Sequence, residues 1–263
     1  MQRSVSAQIT VTVADAARLA FMVAVAGGAD DERLELASNG APIDPVEVTD
    51  AAGSRIHVVD TEPGTVSLSY AATVDGRHPS VAPASELELL EYLRPSRYSE
   101  ADRLGPTAAA EFAGLGGAAL LDAVSSWVGT RLAYVPGSSQ PTDGAVQTLL
   151  ARKGVCRDYA HLVVALLRGL DVPARLAAVY APGLDPMDFH AVAEAHVDGA
   201  WHVVDATALA PRSTLLRIAT GRDAADTAFL SSYGGSVSLE RLEVTAVVDD
   251  LPRDDVTELV ELR

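Results

Sequence analysis

The sequence predicts an α+β protein. An N-terminal antiparallel β domain comes first, then a core in which a helix carrying the only cysteine packs on an antiparallel sheet. Three observations carry this. Through residues 1–80, short apolar runs alternate at period two between turn dipeptides. In residues 154–170, apolar side chains recur at three- and four-residue spacing from a start beside Cys156. Beyond it, two β-patterned runs flank Asp198-Gly199, the strongest short hairpin signal.

The β domain is read as follows. Val5, Ala7, Ile9, Val11 and Val13 alternate with Ser6, Gln8, Thr10 and Thr12, the pattern of a half-buried strand. Residues 18–26 form a more continuous apolar run. Leu34 and Leu36 alternate with Arg33 and Glu35, and strands follow at 46–49, 55–59 and 65–74. Asn39-Gly40, Ala52-Gly53 and Pro63-Gly64 punctuate them. Several short strands at regular spacing predict a small sandwich or open barrel. His57 and His78 are single histidines in or near strands and are read as structural. Two prolines within residues 78–83 mark a linker, which puts the first domain at 1–80.

The core is expected over 81–248. Ser85 with Glu88 three residues on has capping-box spacing, so a helix is placed at 85–92. Residues 93–98 break it. Residues 108–112 and 118–128 are helical by composition, with Leu120, Leu121, Val124, Trp127 and Val128 in one stripe. A loop at 134–139 and a helix at 143–152 lead to Gly154, which supplies a tight turn into the cysteine helix. Tyr159, Leu162, Val163, Leu166 and Leu170 form that helix's inward stripe, and Gly169 and Pro173 end it. Strands are expected at 173–180, 189–197, 200–206 and 215–219, with a loop or short helix over 221–233. Alternation over 237–248 closes the core, and 249–263 is an acidic final strand or tail.

Bulk properties exclude several function classes. The net charge of −16 repels nucleic-acid backbones and anionic membranes, so neither is an expected partner. No run approaches the ~18–20 apolar residues of a membrane span. The apolar segment near residue 20 is short, follows Asp15 and Arg18, and lacks the basic start of a signal peptide. A single cysteine forms no intramolecular disulfide and fits a reducing compartment, so the expected location is cytoplasmic.

The hairpin singles out one histidine of six. With a two-residue turn at Asp198-Gly199, Asp205 lies opposite Val192. His190 and Asp205 then share a face and are diagonal neighbours, about 7–8 Å apart between backbones. Glu194 shares the face but lies about 13 Å along the strand. His202 points to the opposite face, and His196 sits at the turn end. His161, five residues beyond Cys156, points away from the thiol at about 100° per helical residue. The spacing offers no metal-ligand set, so no metal and no cofactor is expected. A cysteine at a helix start sits where free N–H groups and the helix dipole favour the thiolate, although free cysteines also pack as small core residues. Cys156, His190 and Asp205 in that order supply the types for nucleophilic catalysis: attacking sulfur, proton-transferring imidazole and orienting carboxylate. The Cys156 N–H is the natural first oxyanion donor, with Tyr134 or Trp127 as a possible second. Trp127 also reads as core. Arg157 and Asp158 are either modulators of the thiol or a helix-start pair. Arg222, Asp223 and Asp226 are read as capping and surface ion-pair residues, with the site mouth as the alternative.

The stretch Gly154-Val155-Cys156-Arg157-Asp158-Tyr159-Ala160-His161-Leu162 resembles the nucleophile motif of bacterial transglutaminase-like proteins. Pro173-Ala174-Arg175 resembles the segment after it. Asp188-Phe189-His190-Ala191 with Glu194 resembles the family's histidine strand, and Trp201 to Thr207 its aspartate strand. Residues 92–98 and 221–226 are also similar to the bacterial branch. The resemblance covers roughly residues 90–235 and implies a papain/transglutaminase-like core behind an N-terminal β domain. It implies Cys156 as nucleophile, His190 as base and Asp205 as orienting acid, in a thiol-dependent acyl transfer from peptide or protein amides. Val192 and Ala206 depart from the family's usual Trp and Pro, which alters the wall of the site. Water as acceptor makes a peptidase or amidase and an amine makes a transglutaminase; hydrolysis is the favoured expectation. No EF-hand-type calcium loop is visible. The competing readings are a binding or scaffolding module that keeps the fold without activity, and an arylamine acyltransferase, for which no acyl-carrier site is found.

Overall fold

The computed structural model describes residues 1–76 and 83–262, so most of the expected linker, with His78, lies outside the described residues. The N-terminal strands are β1 (Gln2–Val13), β2 (Ala17–Phe21), β3 (Asp31–Ser38), β4 (Ala41–Ile43), β5 (Val46–Thr49), β6 (Arg55–Thr61) and β7 (Gly64–Asp75). Helices α1 (Glu86–Glu91), α2 (Ala101–Glu111) and α3 (Gly117–Arg131) follow, then β8 (Ala133–Tyr134), α4 (Ala145–Ala151), β9 (Lys153–Gly154) and α5 (Cys156–Arg168). The chain continues through β10 (Ala174–Tyr180), β11 (Phe189–Val197), β12 (Ala200–Val204), a 3-10 turn (Arg212–Thr214), β13 (Leu216–Gly221), β14 (Leu230–Gly234) and β15 (Val237–Val248).

The N-terminal strands make a sandwich. One sheet has the order β15-β1-β7-β3-β4 and the other β14-β2-β6-β5. The apolar members of β1 are buried and meet Leu19, Phe21 and Val59 of the second sheet in one core. Each buried alternate residue removes apolar surface from water, which is what fixes the register. Residues 230–248, expected within the catalytic core or closing it, instead return to this sandwich: β14 pairs β2, and β15 pairs β1 from Arg3↔Val248 to Val13↔Val237. The physical reason is shared burial. Val244 and Ala246 enter the same core as the apolar row of β1, and β15 covers an otherwise open strand edge.

The second unit is a four-stranded antiparallel sheet, β12-β11-β10-β13, against which α5 packs. Leu162, Val163 and Leu166 meet Ala174, Ala193, Ala195 and Val204. The spacing predicts one apolar stripe on α5, yet every residue from Asp158 to Arg168 is buried, because side chains of α2, α3 and α4 cover its other faces. Arg168 is tolerated there because its guanidinium donates to the carbonyls of Ala174, Arg94 and Arg222 and to Ser96 Oγ. Helix α2 starts at Ala101, earlier than composition indicates, and takes Pro106 inside it. Ser85 caps α1 by accepting from the Glu88 N–H at 3.2 Å, as its spacing predicts.

The sandwich is fastened to this second sheet. Tyr180 Oη donates to the Val23 carbonyl at 2.8 Å, the Ala26 N–H reaches the Arg217 carbonyl at 2.8 Å, and Phe189 packs on Tyr180. The strand end that carries His190 is thus anchored by the N-terminal unit.

Candidate active site

The hairpin has the expected register. Val197 pairs with Ala200 and Ala193 with Val204, and Asp198 and Gly199 both adopt positive φ (53° and 85°), the two-residue turn that matches strand twist. Asp205 directly follows β12. His190 Nε2 lies 3.0 Å from Asp205 Oδ2, with both side chains buried. Asp205 Oδ1 accepts from the Thr207 N–H at 2.9 Å and from Thr207 Oγ1 at 2.6 Å. Both carboxylate oxygens are therefore fixed. The other ring nitrogen, His190 Nδ1, is buried without a formed hydrogen bond among the described residues. Cys156 is the further polar group that interacts with the ring. Burial disfavours the imidazolium, but the Asp205 carboxylate, its hydrogen bond and the neighbouring Cys156 outweigh it and raise the His190 pKa to about 10. Asp205 responds in the opposite sense. Burial alone would raise its pKa, and His190 and the Thr207 donors hold it below the usual range.

Cys156 opens α5 and is partly exposed. Asp158 completes the helix start: its Oδ2 accepts from the Val155 N–H at 2.8 Å, and its Oδ1 accepts from Ser139 Oγ at 2.9 Å. Arg157 turns outward to Ser139 and the Gln140 carbonyl. Asp158 therefore caps the helix that opens at Cys156, and Arg157 ties the 139–140 loop to its first turn. Gly154 is required for space. Its backbone is not left-handed, but an added Cβ would lie 2.6 Å from Asp158 Cβ and 2.8 Å from Oδ2. Gly154→Ala should displace this carboxylate and destabilise the protein by about 1–2 kcal/mol, the scale of a lost N-cap, as read by urea unfolding.

Tyr134 is brought to the site by a contact that periodicity could not reveal. β8 and β9 form a two-residue parallel bridge, Ala133↔Lys153 and Tyr134↔Gly154, closed by bonds from Ala133 N–H to Arg152 O and Val135 N–H to Gly154 O, each 3.0 Å. The Tyr134 hydroxyl interacts with both the backbone and the side chain of Cys156. Burial first, then the nearby sulfur, push its pKa up to about 12, so it remains a donor at neutral pH. Trp127 has no such role: its Nε1 donates to Glu111 Oε2 at 2.8 Å and Arg131 stacks over its ring.

The other described histidines stay outside this group. His161 is fully buried, accepts the Ala224 N–H at Nε2, and stacks on Tyr98; burial pushes its pKa down to about 3. His57 is buried beside Glu47 in the sandwich. His196 packs edge-on against Trp201 near the turn. Asp223 is buried and accepts the Tyr98 N–H, and Arg222 pairs with Asp226 nearer the surface. Among the described residues, no group of three or more His, Cys, Asp or Glu could hold a metal. Nor is any helix there long and apolar enough to cross a membrane.

The profile of the transglutaminase-like superfamily matches residues 114–206, the segment that contains Cys156, His190 and Asp205. The crystal structure of a proposed cysteine protease from Cytophaga hutchinsonii superposes with a TM-score of 0.87 at 34% identity, over 96% of this chain and 92% of that one. An uncharacterised protein of Mycobacterium leprae is 28% identical over 122 residues, 43% of this chain and 44% of its own length, so the match spans less than half of that curated relative. The chain belongs to the transglutaminase-like superfamily, a family of thiol-dependent enzymes, with the α+β fold of its papain-like members.

Proposed function

We propose that the chain is a cysteine hydrolase of peptide-like amides, with Cys156 as nucleophile, His190 as proton carrier and Asp205 as its orienting acid. The observation that supports this best is the buried His190–Asp205 pair, 3.0 Å apart, with Nδ1 left for the thiol. In this reading the Cys156 sulfur attacks the acyl carbon. The carbonyl oxygen becomes an oxyanion that accepts from the Cys156 N–H and the Tyr134 hydroxyl. His190 Nδ1–H passes its proton to the leaving amine nitrogen, the C–N bond breaks, and a thioester remains. Water then loses a proton to Nδ1, attacks the thioester, and releases the acid with the thiolate restored. An amine in place of water would complete a transglutaminase cycle. A nucleophilic thiol without a resolving partner suits a reducing interior, so the cytoplasm is the compartment this reading favours.

The test is alkylation by iodoacetamide across pH, beside His190→Ala. At pH 6–7, Cys156 of the native chain should react at least ~10-fold faster than in the variant, because the thiolate is the reacting species. A native rate that rises only near about pH 8.5, as for a free thiol, and is unchanged in His190→Ala, would refute the triad. A peptide-amide library assayed with and without a primary amine identifies the acceptor. Amide cleavage that needs the amine overturns hydrolysis in favour of transfer.

A further inference from the structure

The C-terminal segment, expected as an acidic strand or tail, forms no strand in the described residues, and although residues 251–259 are mostly exposed, it is tied back onto the fold at several points. It lies along the outer edge of β12, the edge strand of the catalytic sheet. The Val203 N–H, which has no partner strand on that side, donates to the Val260 carbonyl at 2.7 Å. Leu262 is only 5% exposed and packs in the cluster that holds Val192 and Val203. Val203 precedes Asp205 by two residues, and Val192 follows His190 by two residues toward the hairpin turn.

A second attachment follows Asp205. Arg212 Nε and Nη2 reach Asp254 Oδ2 and Oδ1 at 2.9 and 3.3 Å, its N–H donates to Asp254 Oδ2 at 3.2 Å, and its Nη2 donates to the Asp255 carbonyl at 2.6 Å. Asp205 therefore sits between two points, Val203 and Arg212, that are both tied to residues 254–260. Behind it lies a pocket of about 30 Å³ whose wall includes Ser125, Arg212 and residues 256–259.

We propose that residues 250–262 act as a clamp that positions Asp205 and keeps the His190–Asp205 pair dry, with Arg212 and Asp254 as its positioning residues. This rests on the triad reading given above. The physical link is dielectric and geometric. A carboxylate held in a dry site supports the imidazolium strongly, and one that swings or becomes hydrated supports it less. Because the clamp grips the backbone on both sides of Asp205, its release reaches the thiol through the carboxylate and imidazole. Touching the substrate is not required.

The test is the pH profile of Cys156 alkylation by iodoacetamide in the full chain, in Arg212→Gln, in Asp254→Asn, in the swapped pair R212D/D254R, and in a chain ending at residue 249. Urea unfolding is followed in parallel. Each single substitution should move the rising limb about one pH unit upward, which is about tenfold slower alkylation below the limb. The swapped pair should recover most of that loss, and the deletion should show the full shift. Variants that only unfold more easily, with the limb unmoved, overturn the clamp as a positioning device. If His190→Ala moves the limb and none of the clamp variants does, the clamp fails and the triad stands. If His190→Ala leaves the limb in place, the triad fails and the clamp falls with it.

Discussion

Asp205→Asn should lower turnover of a responsive peptide amide by about 10³–10⁴-fold while the chain stays folded, the scale seen when a triad histidine is held in the wrong tautomer. The reason lies in which atoms face which donors. Asp205 Oδ1 sits against two Thr207 donors, the N–H at 2.9 Å and Oγ1 at 2.6 Å, and Oδ2 faces His190 Nε2. An asparagine has one acceptor and one donor group. Its oxygen is drawn to the Thr207 N–H, which cannot accept, so its NH2 turns toward His190. Nε2 must then accept, the ring proton moves to Nδ1, and Nδ1 can no longer take a proton from Cys156. Asp205→Asn with Thr207→Val removes the hydroxyl but keeps the backbone N–H that draws the amide oxygen, so it should recover none of the loss. Asp205→Asn with unchanged turnover would show that the carboxylate does not orient the imidazole. Recovered turnover in the double variant would show that the Thr207 hydroxyl, and not its N–H, sets the amide's direction.

The site was legible where local chemistry fixes geometry. Asp198-Gly199 specifies a turn with two positive φ angles, the turn specifies the strand register, and the register puts His190 diagonal to Asp205; the 3.0 Å contact follows from two residues of turn sequence. The helix start at Cys156 was readable from spacing. What was not readable depends on long-range partners. The β8–β9 bridge is two residues long, too short for any periodicity, yet it delivers Tyr134 to Cys156. The apolar run at 18–26 is strand only to Phe21. Val23, Ala24 and Val25 are buried without extending it, and the Val25 N–H is satisfied by Tyr70 Oη at 2.9 Å. Val237–Val248 alternates as a strand should, but alternation names no partner, and its place beside β1 is set by the core it shares. The acidic sequence of 249–262 likewise conceals that one carboxylate, Asp254, is claimed by Arg212.

Glu194→Gln should cost about 3–5 kcal/mol of stability, the range for breaking a buried ion pair by removing one partner. Glu194 is fully buried and lies between two guanidiniums: Arg175 Nε at 2.9 Å, and Arg217 Nη1 and Nη2 at 2.6 and 2.7 Å. Arg175 is itself sealed in, 3.9 Å from the Trp201 ring centre and paired with Glu88 at 2.7 Å. A glutamine keeps the shape and leaves Arg217 without a carboxylate partner. The melting temperature should fall by roughly 10 °C, at ~2–4 °C per kcal/mol for a chain of this size. The pH dependence has a definite sign. Burial would raise the Glu194 pKa, but Arg175 and Arg217 outweigh it and hold it down to about 2. A depressed carboxylate gives stability that is complete above the unfolded pKa of about 4.3 and is lost as pH falls toward the folded value, because the unfolded chain binds the proton first. The native chain and Glu194→Gln should therefore differ fully at pH 7, and the difference should shrink as pH falls from about 4 toward 2. Glu194 stands about 13 Å along β11 from His190, so its loss should leave the pH profile of Cys156 alkylation in place at temperatures where the variant is folded. A shifted profile with an unchanged melting temperature would reverse this assignment and make Glu194 part of the site, whereas a lower melting temperature with the profile intact separates the ion cluster that holds the sheet from the pair that serves the thiol.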